Sequence, residues 1–102
     1  MYIHFSKKIT QPPLTLARKC GYIPWRGDRF SQREAFIRRM GVGFYPRFHL
    51  LYDFENGNLV FDLHFDWRRP LHHTGGRSYE GEESGTVREE AARIKKIVEN
   101  VV

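Results

Sequence analysis

Two histidines and two aspartates, His49, His64, Asp62 and Asp66, fall at alternating positions around an Asn56-Gly57 turn. If that turn is a two-residue hairpin loop, opposed residues have numbers that sum to 113, which sets His49 against His64 and Arg47 against Asp66. Facing residues of an antiparallel pair hold their Cβ atoms about 4.5–5.5 Å apart, so two imidazoles there reach a common metal ion. Asp66 shares the face, and His72-His73 follow shortly after. Histidines joined by one carboxylate suit Zn²⁺ or the facial triad of a non-haem Fe²⁺ site, and an open coordination position supports hydrolysis by a metal-bound water. His49, His64, Asp66, His72 and His73 are therefore the candidate ligands, with a divalent Zn or Fe ion as candidate cofactor. Arg47 competes for Asp66 as a cross-strand ion pair. Asp-x-His-x-Asp is also less specific than paired Cys-x-x-Cys motifs.

A second constellation is basic. Arg26, Arg29, Arg38, Arg39, Arg47, Arg68 and Arg69 converge if the first helix, expected over 31–40, and the open end of the hairpin lie together. Tyr45 projects at that same end. Arginine makes bidentate phosphate contacts, and an exposed aromatic ring offers a stacking platform for an unpaired base. The chain prefers arginine to lysine, which fits phosphate recognition better than simple solubility. The sequence lacks an RNP1 pattern, helix-turn-helix spacing and zinc-finger cysteines.

Lesser motifs carry less. Cys20 follows Arg18-Lys19 but has no assigned base, so a buried, inert thiol is expected. Arg26-Gly27-Asp28 is a chance adhesion tripeptide. The stretch Gly41-Val42-Gly43 lacks the third glycine of a dinucleotide loop and precedes a strand. No serine sits in a nucleophile elbow.

The elements that position these residues follow from the pattern. Residues 44–68 read as one amphipathic hairpin: Phe54 opposes Leu59, Tyr52 opposes Phe61, Leu50 opposes Leu63, Phe48 opposes Phe65 and Pro46 opposes Trp67. Every pair is apolar on both sides, as one buried face requires. Leu51 and Val60 are apolar on the other face and call for cover from another segment or a second subunit, so a homodimer through a sheet edge is an expectation.

Tyr2 to Phe5 reads as an edge strand, Leu14 to Ala17 as extended, and Gly21 to Asp28 as loop. The capping box Ser31-Gln32-Arg33-Glu34 predicts a short helix over 31–40, stopped by Gly41. A second box, Thr86-Val87-Arg88-Glu89, opens a C-terminal helix. Its residues Val87, Ala91, Ile94, Val98 and Val101 recur at spacings of 4, 3, 4 and 3, widened by Ile97. That stripe is the expected cover for the hairpin's apolar face. Residues 69–85 read as a flexible Gly and acidic loop.

The expected fold is α+β: a small antiparallel sheet of three or four strands centred on the hairpin, packed by the C-terminal helix and by the helix at 31–40. At 102 residues the chain is one domain, and eight Phe, five Tyr and two Trp supply a core without disulfides. Met1 to Ser6 alternates instead of forming a signal peptide's apolar stretch, and no apolar run is long enough to span a membrane. The expected setting is cytoplasmic, with no membrane partner. Residues 1–51 carry a net +8 and residues 52–102 a net −3. A basic half of this kind fits a polyanion-facing surface. The function expected is a small, non-enzymatic basic module that engages an anionic partner such as RNA or DNA. The alternatives are a metal-binding, hydrolytic domain built on the cross-strand histidines, and a protein–protein assembly factor.

Overall fold

A computed structural model describes residues 1–25, 34–43, 45–66 and 85–101. In chain order these form β1 (Tyr2–Ile3), α1 (Pro13–Lys19), β2 (Ile23–Trp25), β3 (Ala35–Arg39), β4 (Arg47–Glu55), β5 (Asn58–Asp66) and α2 (Gly85–Val101). Among the described residues the five strands make one antiparallel sheet, ordered β1-β5-β4-β3-β2. The fold is α+β, with more strands than the three or four expected.

The hairpin takes the register that its turn dictates. Asn56 and Gly57 have φ of 52° and 82°, the positive values that a type I′ loop needs at both central positions. Every β4–β5 pair, from Arg47 with Asp66 to Glu55 with Asn58, then has numbers summing to 113. Phe48, Leu50, Leu59, Phe61 and Leu63 are buried on one face, each contributing about 1.5–3 kcal/mol as its surface leaves water. Val87, Ile94 and Val98 of α2 and Leu16 and Ala17 of α1 close over that face as one cluster. The expected apolar stripe of α2 is thus its buried side.

Residues 35–39 are a strand, not part of the helix expected over 31–40 (residues 31–33 lie outside the described set). Ala35, Phe36 and Ile37 are consecutive apolar residues, and a short helix would turn at least one of them to water. A strand between β2 and β4 turns Phe36 to the helices and Ala35 and Ile37 to the opposite face, leaving all three no more than 2% exposed. A helix this short has little intrinsic stability to set against that packing. Glu34, expected to close the capping box, instead accepts a 2.7 Å hydrogen bond from the Tyr52 hydroxyl. Leu51 and Val60 join Ala35 and Ile37 as buried residues of this second face.

Leu14 to Ala17, expected to be extended, lies within α1. Pro13 takes its first position, where a missing N–H is harmless. Gly21, with φ +91°, ends it: the Tyr22 N–H donates to the Ala17 carbonyl at 2.9 Å and the Gly21 N–H to Arg18 at 3.0 Å, the paired bonds of a Schellman cap. Residues 23–25, expected as loop, form edge strand β2, and an edge tolerates Pro24 because it need not donate to a neighbour. The N-terminal edge strand forms as β1 on the far side of β5. None of the described helices is long and apolar enough to cross a membrane.

Candidate functional site

The cross-strand histidines face each other on the second side of the sheet. Their rings are 6.2 Å apart and tilted by 48°. Each carboxylate beside them also faces a cation from outside the pair. The Arg47 Nε donates to Asp66 Oδ2 at 3.0 Å, while His49 Nδ1 is 3.9 Å from the same oxygen. His64 Nε2 lies 3.1 Å from Asp62 Oδ2, and the N-terminal ammonium is 3.6 Å from Asp62 Oδ1. Among the described residues no three His, Cys, Asp or Glu side chains converge on a point that a metal could occupy. His72 and His73, the remaining candidate ligands, lie outside the described residues. The arrangement is a charge-balanced row in which Arg47 holds Asp66, the competition expected from the register.

Arg47 itself is deeply engaged. It is 6% exposed, and its guanidinium lies 4.6 Å from the Tyr45 ring centroid and 4.8 Å from that of Trp25. Two aromatic faces and a carboxylate engage it through cation–π and ionic contact. Tyr45, expected as a stacking platform for a base, presents its ring to Arg47.

Arg38 and Arg39 are set apart by strand alternation. Arg38 turns to the helical side, where its Nη1 is 3.5 Å from Glu90 Oε1. Arg39 turns to the second side and is exposed. Arg26, Arg68 and Arg69 lie outside the described residues.

Arg38 leads to a cluster centred on Glu90 that no sequence motif marks. Glu90 of α2 is 5% exposed. It accepts the Tyr22 hydroxyl at 2.7 Å and a bidentate pair from Arg93, Nε to Oε1 and Nη2 to Oε2, both at 2.8 Å. Arg93 Nη2 also donates to the Cys20 carbonyl at 2.6 Å. Burial alone would raise the Glu90 pKa, but the Arg93 and Tyr22 hydrogen bonds outweigh it and hold the carboxyl below its ordinary value. Burial, and then the bond to Glu90, push Tyr22 far above the usual phenol range. The carboxylate stays ionised and the phenol protonated across the neutral range, so this is a fixed clamp, not a proton-transfer pair. It ties α2 to the corner between α1 and β2. Its signal was in the α2 stripe: Glu90 falls three residues after Val87 and four before Ile94, on the core face. Burial likewise pushes the Cys20 thiol up to about 11, which makes the residue the inert thiol expected.

No known protein family, curated protein or solved structure matches this chain.

Part of the accessible positive charge lies at the end of α1 and at the end of β3. Arg18 and Lys19 in the last turn of α1 are exposed, as is Arg39 at the end of β3, and Arg38 is about one-third exposed. Residues 1–25 contain no Asp or Glu. The acidic residues Asp53 and Glu55 sit at the hairpin's turn end, opposite to the end where β3 runs out at Arg39.

Proposed function

We propose that the protein is a small, non-enzymatic module that binds an anionic partner, a nucleic acid strand, through the basic corner between α1, β2 and β3. One observation carries the reading: Arg38 and Arg39 line one cleft with Gly21, Ile23, Ile37 and Gly41 and no acidic residue, while Arg18 and Lys19 stand exposed in the last turn of α1, just before Gly21. Arginine at such a surface suits phosphate, whose oxygens match its planar fork of donors. Charge complementarity also attracts a polyanion before any specific contact forms.

Fluorescence anisotropy of a labelled single-stranded oligonucleotide tests this. Four phosphate contacts give a slope of about −2.8 in log K against log salt, or roughly 50-fold weaker binding on going from about 50 to about 200 mM salt. Salt-insensitive binding, or none at low salt, refutes the proposal.

A further inference from the structure

We infer that the open sheet edge beside Gly21 is a phosphate subsite, with Arg38 and Arg39, on opposite faces of the sheet, each gripping a phosphodiester group of one strand. The inference rests on the binding function proposed above and assigns it a place. A cleft of about 390 Å³ lies there, lined by Gly21, Ile23, Ile37, Arg38, Arg39 and Gly41.

Its shape follows from strand lengths. β2 begins at Ile23, paired with Ile37, so β3 runs on for two residues without a neighbour on that side. The Schellman cap turns the chain away at Gly21, which keeps the edge uncovered. Successive strand residues point to opposite faces, so Arg38 stands on one side of this edge and Arg39 on the other. The backbone contributes as well. The Met40 N–H donates to the Pro46 carbonyl at 3.1 Å, on the β4 side. By the alternation of backbone groups along a strand, the Arg39 N–H turns toward the cleft.

The charge count asks for an anion. Glu90 is matched by Arg93 alone, through two 2.8 Å bonds, and filled further by Tyr22. Arg38 adds a surplus contact at 3.5 Å, the longest made to that carboxylate. Releasing it leaves Glu90 with three hydrogen bonds and one full countercharge, so Arg38 swings outward without orphaning a buried group. With Arg39, the cleft then presents two guanidinium groups and no acid among its lining residues. Gly21 lies beside the Arg38 side chain: a Cβ there would make ordinary van der Waals contact with Arg38 Nε at 3.6 Å and Cδ at 3.7 Å. Ile23, 53% exposed, provides an apolar floor for a sugar beside the phosphate.

Four proteins decide the matter: wild type, Arg38→Gln, Arg39→Gln and, as a control, Lys95→Gln, which changes a base lining a different depression with Tyr2, Ile3 and His4. Each binds a labelled oligo-uridine strand, with thermal unfolding followed in parallel. The expected result is a roughly 5- to 10-fold loss at about 50 mM salt for each arginine variant, with the salt slope reduced by about 0.7. Lys95→Gln should match wild type. Wild-type binding that neither arginine variant weakens overturns the subsite and leaves the broader binding function standing. Equal loss in all three variants also overturns it, because the contact is then diffuse. No wild-type binding, including binding only to anionic vesicles, overturns both. Arg39 is exposed and makes no bond to the core among the described residues, so Arg39→Gln settles the question even if Arg38→Gln unfolds at a lower temperature.

Discussion

Replacing Glu90 by Gln removes the one charge that the Tyr22–Arg93–Arg38 cluster is built around. Glutamine keeps the shape and still accepts from Tyr22 and from one Arg93 nitrogen, but it loses the ionic part of both 2.8 Å bonds. A hydrogen bond to a charged group is worth about 1.5–3 kcal/mol net. The Arg93 side chain is 35% exposed, which lowers its share through solvent screening. Arg93 and Arg38 are then left facing each other without a counterion. We expect a loss of roughly 2–3 kcal/mol, which for a domain of this size lowers the midpoint of thermal unfolding by about 10–20 °C.

The pH dependence gives a sharper signature. The Glu90 pKa is lowered in the folded state, so its contribution is fully present above its unfolded value of roughly 4.3 and is lost as pH falls through the folded one. Circular dichroism melts of both proteins should differ by a constant amount from neutrality down to about pH 5, then converge at lower pH. A variant as stable as wild type at neutral pH, or a gap that does not narrow in acid, refutes the reasoning.

Three further outcomes follow from the same structure. Gly21→Ala forces a side chain into the left-handed region at φ +91° and should cost about 1 kcal/mol, seen as a fall of roughly 4–8 °C in the melting midpoint. Arg47→Lys keeps the charge but loses the planar fork between Tyr45, Trp25 and Asp66, so a loss of about 1–2 kcal/mol in chemical denaturation is expected. Cys20, buried and with its thiol pushed up to about 11, should resist a thiol reagent near pH 8 in the native protein and react at once in denaturant.

The hairpin was legible because two independent local signals agreed: a turn that demands positive φ at Asn56 and Gly57, and strict apolar alternation on both sides of it. α2 was legible from its period. β3 was misread because a capping box is a four-residue pattern, while the outcome was set by burial on both sides of the sheet, to which such a pattern is blind. That error passed into the site. On a helix, Arg38 and Arg39 neighbour each other; on a strand they part to opposite faces, which changes what they can grip. α1 is bracketed by Pro13 and Gly21 as start and stop signals, but the Pro12-Pro13 pair at its start is equally the composition of a chain break, so the short helix is not distinctive in the sequence. The facing of His49 and His64 was legible from the turn, whereas the direction of Asp62 and Asp66 was not, since it depends on Arg47 and on the N-terminal ammonium arriving from outside the hairpin. Glu90 stood on the apolar stripe of α2, and a charge at a helical core position signals a buried partner.

The most direct test of the binding function is the salt slope of oligonucleotide affinity for wild type and for an Arg38→Gln, Arg39→Gln double variant. We expect wild type to fall with a slope of about −2.8 and the double variant with one of about −1.4, since two of four phosphate contacts are gone. Identical slopes for the two proteins, or a wild-type affinity that salt does not change, would contradict the account.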